Sequence, residues 1–214
     1  MYVAIEGVIG VGKTSLARLL KSQFGAELLL EAFEENPFLS DFYADRQRYA
    51  FQTQIFFLLS RYRQQRETVP DTAAGPNLLA DYTFEKDALF ARLNLNGDEL
   101  STYQLVHHAL AERIRPPDLV VYLRVDTDVA MQRIAMRDRP YERNMDRDYI
   151  EQVNSAYEQH FVERSNYPTL IIDSTHMDFV AQPEHLSAIS NRIRDSLDIP
   201  PYQRQLPIEQ DDHT

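Results

Sequence analysis

The sequence predicts an α/β fold, a parallel five-stranded sheet flanked by helices. Three observations carry that expectation. Short runs rich in β-branched and aliphatic residues alternate with longer stretches of helical apolar spacing, the pattern of a parallel sheet covered on both faces. The first of these runs passes directly into a glycine-rich segment and then into a helical one. The composition, 43% hydrophobic and 26% charged over 214 residues, is that of one globular domain with its own core.

In chain order the strand runs are Tyr2–Glu6, Glu27–Leu30, Asn77–Asp81, Asp118–Val125 and Thr169–Asp173. Between the second and third, Phe51, Ile55, Leu58, Leu59 and Tyr62 recur at helical spacing, while Gln54 and Arg61, seven apart, share a neighbouring stripe. One long helix thus carries an apolar face and a polar one. Pro116-Pro117 ends a helix just before the fourth strand. Beyond it, Arg133 and Arg137 are i,i+4 neighbours on one helix face. Pro200-Pro201 opens a stretch with little apolar content, dividing the chain into a single domain over residues 1–199 and an acidic, mobile tail over 200–214. No internal repeat and no low-complexity segment is visible.

Charge and cysteine usage exclude several functions. With 22 basic and 33 acidic residues the formal net charge is −11, a field that repels a nucleic-acid polymer. Cysteine is absent, so there is no disulfide framework, no thiolate nucleophile and no cysteine-rich zinc site, which suits a reducing cytoplasm. Glu6 interrupts the first apolar run and no cationic leader precedes it, so no signal peptide is expected. Nor is any apolar run long enough to span a membrane.

Gly7-Val8-Ile9-Gly10-Val11-Gly12-Lys13-Thr14 matches G-x-x-x-x-G-K-[ST], placed between the first strand and the helical pattern Ser15, Leu16, Leu19, Leu20. Glycines let consecutive backbone N–H groups point at a phosphate, and the following helix adds the positive end of its dipole. Lys13 would neutralise the β- and γ-phosphates of ATP, and the Thr14 hydroxyl would ligate Mg²⁺. The absence of N-K-x-D and D-x-x-G argues against a GTPase. Glu31 closes the segment AELLLE on the sheet edge where ligands bind in open α/β folds, and a carboxylate there can take a proton from an attacking hydroxyl. Taken alone it reads equally well as part of a solvated acidic loop with Glu34 and Glu35. Arg133, Arg137 and Arg139, in MQRIAMRDRPYER, suit an arginine-rich lid over about residues 133–148 that closes on transferring phosphates. The competing reading is a solvated helix paired with Asp138, Glu142 and Asp146.

Five segments in order, the P-loop, Glu31 followed by ENPFLSDFY, RYAFQTQIFFLLSRYR, ADYTFEKDALFARLNL and RIAMRDRPYE, resemble the deoxynucleoside kinase family across nearly the whole chain. The wording ADY and RPYE is closest to its bacterial deoxyguanosine kinase branch. The resemblance implies a P-loop kinase-type fold and transfer of the ATP γ-phosphoryl group, with Mg²⁺, to the 5′-hydroxyl of a purine deoxynucleoside, deoxyguanosine first, in nucleotide salvage. It implies Glu31 as the base that deprotonates the hydroxyl and Asp81 beside Mg²⁺ and that hydroxyl. Tyr43 and Glu142 match positions that hold the 3′-hydroxyl, and Gln54, Arg61 and Asp87 those that read the base. Arg133, Arg137 and Arg139 match the lid, and residues 173–179 the loop around the donor's base. Phe51 and Phe90 match pocket walls, with core packing an equal account. A homodimer is also implied, and Ile55, Phe56, Leu59 and Tyr62 offer apolar surface beyond one face. One departure stands out. Tyr82-Thr83 occupy the place where much of the family carries Arg-Ser, so the cation beside the acceptor hydroxyl must come from the lid or from Lys86. The sequence favours the lid and treats Lys86 as a solvated helix residue. A kinase for deoxyadenosine or deoxycytidine, and a nucleotide-binding regulatory partner subunit, are the competing functions.

Overall fold

The computed structural model describes residues 1–69, 75–163 and 167–202. Its strands are β1 (Tyr2–Glu6), β2 (Ala26–Leu29), β3 (Asn77–Ala80), β4 (Leu119–Arg124) and β5 (Thr169–Asp173). They form one parallel sheet in the order β2-β3-β1-β4-β5, in which Ala4 pairs with Ala80 on one side and Val120 on the other. This is the sheet that the alternation predicts. The helices are α1 (Lys13–Phe24), α2 (Leu39–Ala44), α3 (Arg46–Thr68), α4 (Glu85–Asn94), α5 (Gly97–Ala111), α6 (Thr127–Arg137), α7 (Arg147–Glu158) and α8 (Pro183–Ser196). No helix among the described residues is long and apolar enough to cross a membrane.

Every residue of β1 is buried, as the central strand of a sheet covered on both faces must be. The main core joins Val3 and Ile5 to Leu16 and Leu20 of α1, Val121 and Leu123 of β4, and Ile189 and Ile193 of α8. A second cluster gathers Tyr2, Ala4, Leu29, Val69, Leu78, Ala80 and Tyr82. Membership of Tyr82 in that cluster decides what this position can do.

One expectation needs correction at this level. The second strand ends at Leu29, so Glu31 stands two residues beyond it rather than on its last position. The polar stripe of α3 is drawn inside the protein: Thr53, Gln54, Arg61 and Gln65 are all buried. The helix is sandwiched between the core and the site, so polar side chains on two of its faces are withdrawn from water. Of the apolar residues offered for a dimer, Ile55 and Tyr62 pack against the core, whereas Leu59 is exposed. Residues 203–214 of the expected tail lie outside the described residues; ahead of them, Arg194 of α8 donates to the Pro200 carbonyl at 2.6 Å.

Candidate active site

All five strands run the same way, so the segments that leave their C-terminal ends, at Gly7, Glu31, Asp81, Val125 and Ser174, converge on one edge. The loop from Gly7 delivers α1 with its first turn free of acidic residues and without a side-chain cap. Its leading N–H groups are therefore available to an anion. Gly12 has φ +106°, and a Cβ there would lie 2.9 Å from Cζ of Phe179, so both backbone conformation and close approach call for glycine. The Lys13 ammonium donates to the carbonyls of Gly7 (2.7 Å) and Val8 (3.1 Å). Burial, and after it the neighbouring Lys86, push its pKa down to about 8.

One carboxylate ties the strand ends together. Thr14 Oγ1 donates to Asp81 Oδ2 at 2.5 Å, and the Glu31 backbone N–H donates to Asp81 Oδ1 at 2.8 Å. Hydroxyl and carboxylate oxygens are the hard donors that Mg²⁺ accepts when phosphates and water complete its shell. Among the described residues there is no group of three or more His, Asp or Glu that could hold a metal ion.

Glu31 is gripped from two sides. Arg61 donates to Oε1 through Nε (2.9 Å) and Nη2, and Lys86 Nζ donates to Oε2 at 2.6 Å. Arg61 spends its remaining arm, Nη1, on Asp87 Oδ1, with the guanidinium 4.5 Å above the Phe57 ring. Burial alone would raise the Glu31 pKa, but Arg61 and Lys86 outweigh it and hold the carboxyl well below the usual range. Gln54 Oε1 and Asp87 Oδ2 are buried and lack a hydrogen-bond partner among the described residues. Such acceptors cost stability until something donates to them, and the N–H groups of a base edge are suitable donors.

The cleft around Glu31 is lined by Ile9, Gly10, Lys13, Thr14, Asp81, Arg61 and Lys86 on one side and by Phe33, Tyr43, Phe90, Arg137, Arg139, Tyr141 and Glu142 on the other. Tyr43 and Tyr141 stack with ring centres 5.9 Å apart. Burial first, then neighbouring tyrosines and Glu142, raise the Tyr43 hydroxyl well above its ordinary pKa. Arg137 grips Glu142 through two bonds, of 2.8 and 2.6 Å, and Arg139 lies 4.0 Å above the Phe33 ring. An adjoining open cleft is lined by Gly10–Ser15, Arg133 and Met177–Ala181. Arg133 donates to the carbonyls of Val11 (3.2 Å), Ser174 (2.9 Å) and Met177 (3.1 Å), joining the P-loop to the loop after β5.

Sequence reasoning named most of this lining. Gln54 and Asp87 are buried without lining the cleft, and Phe51 packs against the core. Lys86 is not the solvated helix residue that the sequence suggests. It is buried and bonded to Glu31, whereas the arginines favoured in its stead are engaged with Glu142 or with backbone carbonyls. Helix α4 begins at Glu85, which turns Lys86 inward. Tyr82 points into the second core cluster and bonds Gln64 Oε1 at 3.0 Å. Phe33, Phe57 and Tyr141 were missed. Phe57 could have been found, since it stands four residues before Arg61 on the same helix.

A phosphate-binding loop facing a half-buried, doubly clamped carboxylate across one cleft is a phosphoryl-transfer geometry, and comparison with known proteins agrees. The family model described as "Deoxynucleoside kinase" matches residues 3–198. The chain belongs to the deoxynucleoside kinase family. It is 31% identical to deoxyguanosine kinase of Bacillus subtilis (strain 168) over 199 residues, 91% of this chain and 96% of that protein. It is 33% identical to deoxyadenosine kinase of Dictyostelium discoideum over 175 residues, 79% of this chain and 70% of that one. Among solved structures, deoxyadenosine kinase from M. mycoides with products dCMP and a flexible dCDP bound superposes with a TM-score of 0.79 at 26% identity, covering 91% of this chain and 99% of that one. As a deoxynucleoside kinase the chain is an ATP-dependent nucleoside kinase.

Proposed function

We propose that the protein transfers the ATP γ-phosphoryl group to the 5′-hydroxyl of a purine deoxynucleoside, deoxyguanosine first, in nucleotide salvage. The observation that carries the reading is Glu31 facing the P-loop while sharing Arg61 with the buried Asp87. The nucleoside lies with its hydroxyl at Glu31, its base towards Arg61, Asp87 and Gln54, and its 3′-hydroxyl at Tyr43 and Glu142. Buried acceptors on Asp87 and Gln54, beside the guanidinium of Arg61, match an edge that mixes donors and acceptors, as guanine's does. The extended match to the Bacillus subtilis deoxyguanosine kinase supports the same base.

In the reaction the 5′-oxygen bonds to the γ-phosphorus, the bond to the bridging oxygen of ADP breaks, and the hydroxyl proton passes to Glu31. A carboxyl held so acidic is ionised at any working pH and is a weak base, so the proton moves as the P–O bond forms rather than before. Lys13 and the P-loop N–H groups spread the phosphate charge, and Arg137 and Arg139 exchange Glu142 and Phe33 for phosphate oxygens as residues 133–148 close. Thr14 and Asp81 would hold Mg²⁺, which supplies positive charge to the β- and γ-oxygens. A homodimer uses the exposed Leu59 of α3 and Leu105 of α5.

ADP release measured across the four deoxynucleosides tests the substrate, with fastest turnover expected on deoxyguanosine. Preference for deoxyadenosine or deoxycytidine would favour the second reading, which the fit to the M. mycoides deoxyadenosine kinase supports. No turnover on any of the four would leave the regulatory partner subunit.

A further inference from the structure

Lys86 has no role in the function set out above, yet its position is unusual. Its ammonium is nearly withdrawn from water, with the side chain 7% exposed, and it lines the same cleft as Gly10, Lys13 and Thr14. Burying an ammonium is costly, and a buried ion pair is weak evidence for stability. Among the described residues the ammonium makes a single hydrogen bond, to Glu31 Oε2, so two of its three N–H donors remain for something that enters the cleft. The other cation on Glu31 is more heavily committed: Arg61 is divided between Oε1 of Glu31 and the buried Asp87, whereas Lys86 has Glu31 alone. The helix start fixes Lys86 in place, because Thr83 Oγ1 accepts its backbone N–H and the buried Glu6 in turn accepts both donors of Thr83.

We propose that Lys86 is the catalytic cation on the acceptor side, holding Oε2 of Glu31 while donating to the 5′-oxygen as that oxygen attacks. The proposal rests on the kinase reading above. As the 5′-oxygen bonds to the γ-phosphorus, the bond from phosphorus to the bridging oxygen breaks and its electron pair leaves on ADP. The hydroxyl proton goes to Glu31, and Lys86 keeps its own three protons throughout. Its contribution is to orient the carboxylate and to offset charge between the attacking oxygen and the phosphoryl group, from a side chain itself largely withdrawn from water. Tyr82 cannot serve instead, since its side chain belongs to the core.

Lys86→Met and Lys86→Arg, assayed with ATP and the best deoxynucleoside, test this. For Lys86→Met we expect kcat to fall about 10²-fold, as for loss of one positioned donor to a transition-state oxygen. The KM for ATP should stay within about threefold, because ground-state donor binding is left intact. Lys86→Arg should recover about tenfold or more of the loss. Ethylammonium chloride should partly restore Lys86→Ala, whereas equal concentrations of sodium chloride or ethanol should not. A Lys86→Met enzyme whose kcat stays within about threefold of wild type, or one that loses only nucleoside KM, overturns the proposal. Should Lys86→Met show no cooperative melting, Lys86→Arg decides: a folded variant that keeps the cation yet loses more than about a hundredfold in kcat overturns it, and one that stays within tenfold supports it. Wild-type protein inactive on all four deoxynucleosides removes this proposal together with the kinase reading; an active wild type with an unimpaired Lys86→Met removes this proposal alone.

Discussion

At the scale of single residues, two carboxylates facing one guanidinium have different duties. Glu31 borders the cleft, while Asp87 is fully buried behind Arg61. Glu31→Gln keeps the size of the side chain and removes its charge, so kcat should fall roughly 10²–10⁴-fold with a modest change in nucleoside KM, measured by steady-state ADP release. Asp87 is packed too deeply for alanine to report on recognition alone, because truncation would open a cavity and leave Arg61 with Glu31 as its one carboxylate partner. Asp87→Asn is the better probe: it replaces an acceptor with a donor at nearly constant volume. We expect the ranking of kcat/KM across the four deoxynucleosides to change by more than the rate on the best of them falls. An equal loss on every base would mark Asp87 as purely structural.

At the scale of elements, α3 and α6 each carry charged residues at helical spacing, and they use them differently. On α3 the spacing brings Phe57 under Arg61, and that face is buried against the site. On α6 the i,i+4 pair Arg133 and Arg137 diverges in partners: Arg137 takes Glu142, and Arg133 takes three carbonyls from two loops. Arg133 therefore ties the P-loop to the loop after β5, and under the proposed function it is a positioning residue of the donor cleft. Arg133→Ala should raise the KM for ATP about tenfold or more while kcat at saturating ATP changes less, since charged donors to carbonyls are each worth about 1.5–3 kcal/mol and the loops they join frame ATP. A fall in kcat with unchanged ATP KM would place its guanidinium on the transferring phosphate instead.

At the scale of the whole molecule, the site is also a stability element, because Glu31, Arg61, Lys86 and Asp87 lock α3, α4 and the β2 edge together. The folded pKa of Glu31 lies below its unfolded value, so between the two the unfolded chain binds more protons and stability falls as pH falls. The stabilisation from Glu31 is complete above the ordinary carboxylate range and drains away below about pH 4. Melting temperatures of wild type and Glu31→Gln should thus differ most near neutrality, with Gln the less stable, and converge as pH drops below about 4. A gap independent of pH would show that the carboxylate charge contributes nothing. The sequence by itself determined the sheet, its helices and the phosphate loop, since these follow from periodicity and from a contiguous motif, and both are local properties of the chain. It also supplied most of the cleft lining, Glu31, Tyr43, Arg61, Phe90 and Glu142 among them, through residues carried over one by one from a family resemblance. Tertiary structure alone decided that Lys86 turns towards Glu31, that Tyr82 turns into the core, and that Arg133 spends its donors on backbone carbonyls. Residue spacing says which side chains share a helix face; what that face meets depends on elements 50 or more positions away, such as Glu31 for Lys86. Charges withdrawn from water take the partners that packing places within reach.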